Sequence, residues 1–226
     1  MTSLSSPPER PLRRHELVVV HPAAWRAALV EHKGPALHPL VASWAERGWP
    51  LIARRAMPGE AQGVALGLPL PPYAGKKRLS FVMDARDIVS TAPPPSLLAV
   101  LRAAPLAWRP TLDALDDLAT RHSLRVRVFG SLAWCALTRL DYVSARSDLD
   151  VLLYVHRSTD LAALTAGLAE IDAAAPMRLD GELVRDDGAA ANWREFHAGA
   201  PEVLVKTMDG VALADARSFL SEGTPS

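Results

Sequence analysis

The sequence predicts an α+β protein in two parts, a smaller α/β N-terminal domain and a larger mixed sheet with flanking helices. Three observations carry this. The chain has 226 residues, of which 49% are hydrophobic and 22% charged, a profile of a compact soluble protein with room for a sizeable core. It breaks at Ala92-Pro93-Pro94-Pro95, the strongest linker signal in the chain. Its formal net charge of zero hides a division: residues 1–113 carry 14 basic and 8 acidic side chains, a balance of +6, and residues 114–226 carry 11 and 17, a balance of −6. We therefore expect a tail over 1–12, an N-terminal domain over 13–92 and a second domain over 93–226.

The elements follow in order. Residues 1–12 are rich in Ser and Pro and poor in apolar side chains, which suits a frayed terminus. His15–Val20 reads as a buried strand, Ala23–Val30 and Pro39–Arg47 as short helices, and Gly48-Trp49-Pro50 as a helix stop. Leu51–Arg55 and Ala61–Leu68 read as strands. The Pro-rich loop Pro69–Gly75 delivers Lys76-Lys77-Arg78 to a strand over Leu79–Met83. Beyond the linker, Ser96 caps a helix to Ala103. Thr111–His122 places Leu112, Leu115, Leu118 and Ala119 on one helical face. Arg125–Phe129 alternates as a strand, Gly130-Ser131 turns into a helix over Leu132–Leu137, and Asp148–Val155 is a strand. Helix Leu161–Ile171, strands Met177–Val184 and Glu202–Val205, and a helix over Gly210–Leu220 complete the list.

The chemistry concentrates in the second part. Alternate residues of a strand share a face, so Asp148 and Asp150 point the same way, about 7 Å apart. Carboxylates held side by side repel, and acids opening the apolar run Val151-Leu152-Leu153 are costly without a partner. A divalent cation removes that cost. Mg²⁺ takes oxygen ligands and is commonly held by one or two carboxylates together with substrate phosphates. Asp180, on another expected strand, offers a third carboxylate, and three can hold two metal ions. Gly130-Ser131 supplies the other half: a glycine lets backbone approach a phosphate, the following helix start presents free amides, and the Ser131 hydroxyl can donate to a phosphate oxygen.

These residues resemble the nucleotidyltransferase superfamily of the DNA polymerase β type, whose signature is a Gly-Ser helix start, Asp-x-Asp on a strand, and a third Asp on a later strand. It falls on Gly130, Ser131, Asp148, Asp150 and Asp180, with Glu182 the rival for the last. Sixteen residues separate Ser131 from Asp148, more than is usual there. More closely, Phe129-Gly130-Ser131-Leu132-Ala133-Trp134, Leu137-Thr138, Tyr142 and Ser147-Asp148-Leu149-Asp150 resemble the malonate decarboxylase holo-acyl-carrier-protein synthases, the phosphoribosyl-dephospho-CoA transferases. Arg14-His15, Trp44, Gly48-Trp49-Pro50-Leu51, Arg54-Arg55, Gly67-Leu68-Pro69-Leu70-Pro71, Lys76-Lys77-Arg78-Leu79 and Asn192-Trp193-Arg194-Glu195 extend the likeness over about 14–215.

The resemblance implies a nucleotidyltransferase fold in the second domain and a definite reaction. Phosphoribosyl-dephospho-CoA would pass from 2′-(5″-triphosphoribosyl)-3′-dephospho-CoA to a serine of the apo acyl-carrier subunit of malonate decarboxylase, with release of pyrophosphate. It implies Asp148, Asp150 and Asp180 as catalytic metal ligands for two Mg²⁺ ions, and Gly130 and Ser131 as phosphate binders. Lys76, Lys77 and Arg78 are candidates for a phosphate clamp, and Lys206 either touches pyrophosphate or makes a structural ion pair. Arg146 can reach a phosphate bidentately. Trp134 and Trp193 are placed to stack on adenine or to pack a core, and Glu195 to pair with an arginine.

Other classes are weaker. There is no H-E-x-x-H, no Cys/His cluster, no G-x-S-x-G and no Walker loop. The single cysteine, Cys135, permits no intrachain disulfide, reads as a core residue and makes the cytoplasm the default location. The apolar run Leu17–Val20 is too short to span a bilayer. Neither nucleic acid nor membrane is expected as a partner. A nucleotidyltransferase that uses ATP on another acceptor, or a non-catalytic domain of the same fold, are the competing readings; the intact Asp148/Asp150 pair speaks against the second.

Overall fold

The computed structural model describes residues 11–31 and 38–221; most of the tail expected over 1–12 falls outside them. The chain divides into two compact units between Pro93 and Pro94, and each holds its own sheet. This is the α+β, two-part architecture that the patterning predicts. No helix among the described residues is long and apolar enough to cross a membrane.

The N-terminal unit contains β1 (Leu17–Val20), α1 (Pro22–Glu31), α2 (Pro39–Ala42), β2 (Leu51–Ala53), β3 (Val64–Pro69), β4 (Arg78–Met83) and β5 (Ile88–Ala92). Its five strands run in the order β4-β3-β2-β1-β5, and all four pairings are antiparallel. Trp25 and Trp44 are completely buried, and each indole N–H has a carbonyl acceptor, on Val41 at 2.8 Å and on Pro50 at 2.9 Å. A buried indole without such a partner would be destabilising. The sequence misses β5, a five-residue strand split between apolar Ile88-Val89 and polar Ser90-Thr91. It also counts Ala92 as linker, whereas Ala92 pairs with Leu17. Pro95 is bound as well: its carbonyl accepts from Val128 N–H at 2.8 Å.

The C-terminal unit begins with α3 (Leu97–Val100), where Ser96 Oγ accepts from Ala99 N–H as expected of a cap. Then come α4 (Arg109–Arg121), β6 (Arg125–Phe129), α5 (Gly130–Thr138), β7 (Leu149–Tyr154), α6 (Leu161–Ala174), β8 (Leu179–Val184), β9 (Ala190–Asn192), α7 (Trp193–His197), β10 (Glu202–Lys206) and β11 (Val211–Asp215). The sheet order is β11-β10-β9-β8-β7-β6. One pairing is parallel, β7 with β8; the rest are antiparallel. α6 makes the crossover that a parallel pair requires.

Strand periodicity sorts the two faces of this sheet. Leu149, Val151 and Leu153 join Val126, Val128, Leu179 and Leu183 in one cluster with Leu112, Leu115 and Leu118 of α4 and Leu164 and Leu168 of α6. Leu152, on the opposite face, is also buried, in a small cluster with Val184 and Ala190. β7 is therefore apolar on both sides beyond Asp150, which is why it reads as a continuous run rather than an alternation.

The helix expected over Gly210–Leu220 is not there. Residues Val211–Asp215 form β11, paired with β10 from Glu202↔Asp215 to Lys206↔Val211. Alanine content suggests a helix, but Asp209-Gly210 between two short alternating runs is a hairpin signal. Thr207 secures the turn, its hydroxyl accepting from the amides of Asp209 and Gly210.

Candidate functional site

The site is built where β6 hands over to α5, beside the start of the parallel pair. Gly130 has φ +63°, a left-handed conformation that disfavours any side chain. A Cβ there would overlap the carboxylate of Asp150. Backbone and acid thus approach as closely as a glycine alone allows. The register explains why: Phe129, the residue before Gly130, is opposite Asp150 on the neighbouring strand.

β8 brings the third acid. Asp150 and Asp180 are direct partners in the parallel register, so they share a face on strands about 4.8 Å apart. Asp148 lies just ahead of β7, one step along the same face, and Leu149 N–H continues the ladder to Arg178 O at 2.9 Å. No hydrogen bond or ion pair holds the Asp148 side chain among the described residues. Asp180 Oδ1 accepts from the amide nitrogen of Asn192, Nδ2, at 3.0 Å.

Ser131 follows Gly130 in the first turn of α5. The cap position belongs to Phe129, whose side chain makes no capping bond. Phe129 therefore puts no side-chain cap of its own on the turn's leading amides.

The two acids on β8 are treated differently by their surroundings. Glu182 is 6% exposed and forms an ion pair with Lys206 Nζ at 2.8 Å. Of the two roles open to Lys206, the structural ion pair is the one seen. Asp180, not Glu182, is level with Asp150. Glu195 accepts from the amide of Leu204 at 2.7 Å, in place of the arginine expected for it. Trp134 and Trp193 are buried, at 4% and 1%, so neither ring offers an open face for adenine; Trp193 lies against Gly181, where a Cβ would come within 2.9 Å of the indole. Cys135 is half-buried, and its Sγ accepts from Tyr142 N–H at 3.3 Å. Arg146 is exposed, in the turn before Asp148. Lys76, Lys77 and Arg78 are exposed residues of the N-terminal unit at the start of β4, the outermost strand of its sheet.

Sequence reasoning overlooks Arg178 and Asp172. With Arg194 they line an open cavity of about 570 Å³ just before the start of β8. Arg194 is fixed by Asp172 Oδ1 at 2.7 Å and Leu179 O at 3.1 Å, and its guanidinium stacks on Trp193. Burial works against the ionised Asp172. The bonds from Arg194 and Leu179 N–H outweigh it and hold the carboxyl below its ordinary range. A pairing between α6 and α7 leaves no motif in a linear sequence.

The carboxylates of Asp148 and Asp150 suit Mg²⁺, which needs few protein ligands when phosphates complete its shell. Among the described residues no group of three or more His, Cys, Asp or Glu side chains converges closely enough to hold a metal on its own. The donor set therefore fits an ion shared with a polyphosphate better than a cage made of protein alone.

Comparisons with known proteins agree across the chain. Residues 13–94 match the phosphoribosyl-dephospho-CoA transferase MdcG N-terminal domain, and residues 96–217 match the MdcG C-terminal domain. The chain is 53% identical over 226 residues, the full length of both proteins, to a phosphoribosyl-dephospho-CoA transferase of Bradyrhizobium diazoefficiens. It is 37% identical over 210 residues, 92% of this chain and 97% of the relative, to one of Xanthomonas campestris pv. campestris. It is 40% identical over 196 residues, 86% and 90% of the two chains, to one of Xanthomonas euvesicatoria pv. vesicatoria. No solved structure gives a significant match. With both domain models matched in order and one relative aligned over the full length of both proteins, the chain belongs to the phosphoribosyl-dephospho-CoA transferase family.

Proposed function

We propose that this protein transfers phosphoribosyl-dephospho-CoA from 2′-(5″-triphosphoribosyl)-3′-dephospho-CoA to a serine of the apo acyl-carrier subunit of malonate decarboxylase. The observation that carries this reading is the packing of Asp150 on Gly130, which joins an anion-accepting turn to the acids of β7 and β8. Family membership supports phosphoribosyl-dephospho-CoA as the group transferred.

The serine oxygen bonds to the phosphorus nearest the ribose, the bond from that phosphorus to the bridging oxygen breaks, and pyrophosphate leaves with the electron pair. The serine proton passes to water or a base. Gly130 brings main chain against the triphosphate, and the Ser131 hydroxyl and the leading amides of α5 donate to its oxygens. Asp148 and Asp150 hold Mg²⁺, with Asp180 beside them. Bound there, the metal neutralises phosphate charge and lowers the proton affinity of the serine hydroxyl. Lys76, Lys77 and Arg78 meet the acidic carrier or the polyphosphate. The single cysteine, which permits no intrachain disulfide, supports placing the reaction in the cytoplasm.

The test is to incubate the protein with Mg²⁺, the triphosphoribosyl donor and the apo carrier subunit and to weigh the carrier. Gain of one phosphoribosyl-dephospho-CoA is expected. No gain, with ATP-dependent labelling of another acceptor, overturns the reading.

A further inference from the structure

Asn192 belongs to none of the roles above, yet both ends of its side chain are committed. Its Oδ1 accepts from Arg194 N–H at 2.9 Å and caps α7, and its Nδ2 donates to Asp180 Oδ1 at 3.0 Å. A backbone N–H can only donate, so the capping bond fixes which end of the amide is oxygen. The amide cannot turn over without losing the cap. Asp180 therefore faces a donor whose orientation the helix start dictates.

Three contacts keep that donor in place. Asn192 is opposite Glu182 in the β8–β9 register, one alternation from Asp180 on the same face. The next residue, Trp193, is buried against Gly181 between Asp180 and Glu182. The residue after it, Arg194, is bonded to Asp172 and Leu179 O. The segment Asn192-Trp193-Arg194 thus forms a clamp around the start of β8, and only Asn192 reaches the acid.

We propose that Asn192 is a positioning residue for Asp180: it occupies Oδ1 and fixes the carboxylate plane, leaving Oδ2 for metal or substrate. This rests on the reading of Asp180 as part of the metal-binding acids. The bond holds the carboxylate in one rotamer, which suits a ligand held ready before the substrate arrives.

The variant Asn192→Ser keeps a capping oxygen but is too short to reach Asp180. Mn²⁺ binding to the substrate-free protein, followed by the loss of its free-ion paramagnetic resonance signal, is expected to weaken about tenfold or more, as when a ligand's supporting partner is lost. The melting temperature should move little. Added to Asp180→Asn, the same substitution should weaken binding no further, because its effect passes through Asp180. Asn192→Asp retains the cap yet sets a carboxylate against Asp180, and carrier modification at saturating Mg²⁺ should fall about tenfold. Wild-type Mn²⁺ affinity in Asn192→Ser, an additive loss in the double variant, or full activity in Asn192→Asp overturns the proposal. If wild-type protein modifies the carrier but Asp180→Asn binds Mn²⁺ and works normally, the role of Asp180 itself is what fails.

Discussion

The two sheets of this protein use the same kinds of residue to different ends. In the N-terminal unit every strand pairing is antiparallel, so neighbouring strands begin at opposite ends of the sheet. The C-terminal sheet has one parallel pair, and that exception makes the site: β7 and β8 begin side by side, each with an acid as its second residue, so Asp150 and Asp180 fall level. Antiparallel neighbours could not place two strand starts together. The charged residues of the N-terminal unit that are fixed inside it serve folding instead. There Arg54 Nη1 bonds Glu60 Oε2 at 2.8 Å, and Arg54 Nε also donates to Leu66 O.

The sharpest way to break this contrast is to remove the charge at the parallel pair. Asp150→Asn should reduce carrier modification by about a hundredfold to a thousandfold while thermal unfolding stays near wild type. A small loss, read by carrier mass, would move the site elsewhere. Next is Lys206→Met, which removes the ion pair that the buried Glu182 makes with Lys206. It should cost about 2–3 kcal/mol of stability in chemical denaturation, with the C-terminal unit losing its structure first. Gly130→Ala should cost about 1–2 kcal/mol from the left-handed backbone alone and displace Asp150, so activity should fall more than stability.

Smaller effects are expected from the N-terminal unit. Reversing charge at Lys76, Lys77 and Arg78 should raise KM for carrier or donor several-fold and leave stability unchanged, since all three are exposed. The smallest concerns Glu60. The Arg54 side chain above all, with Met57 N–H, lowers its pKa from 4.5 to about 2. A depressed carboxyl pKa stabilises the fold above the unfolded value, and that contribution is lost as pH falls from about 4.5 to about 2. Glu60→Gln should therefore flatten acid denaturation across that window, and equal acid sensitivity in the variant would refute the pairing.

Much of the C-terminal unit was legible. Strand β6 over Arg125–Phe129 and helix α4 with its Leu112, Leu115 and Leu118 stripe announce themselves by period, and Gly130-Ser131 and Asp148-Leu149-Asp150 by composition. β9 and α7 did not. Three residues of Ala-Ala-Asn carry no period, and a five-residue helix fills too little of a turn pattern to register. β11 went the wrong way because local alanine propensity favours helix, and only pairing with β10 overrides it.

By itself the sequence determined which residues are candidates for the chemistry, because a glycine before a helix and acids opening an apolar strand are costly patterns that call for a partner. It also determined the break between the units, because consecutive prolines cannot continue either sheet. Only the tertiary structure decided the rest. Register put Asp180 rather than Glu182 level with Asp150 and gave Lys206 to Glu182. The cap of α7 turned Asn192 toward Asp180. Each of those choices depends on how strands slide past one another, and no local preference in the chain encodes that displacement.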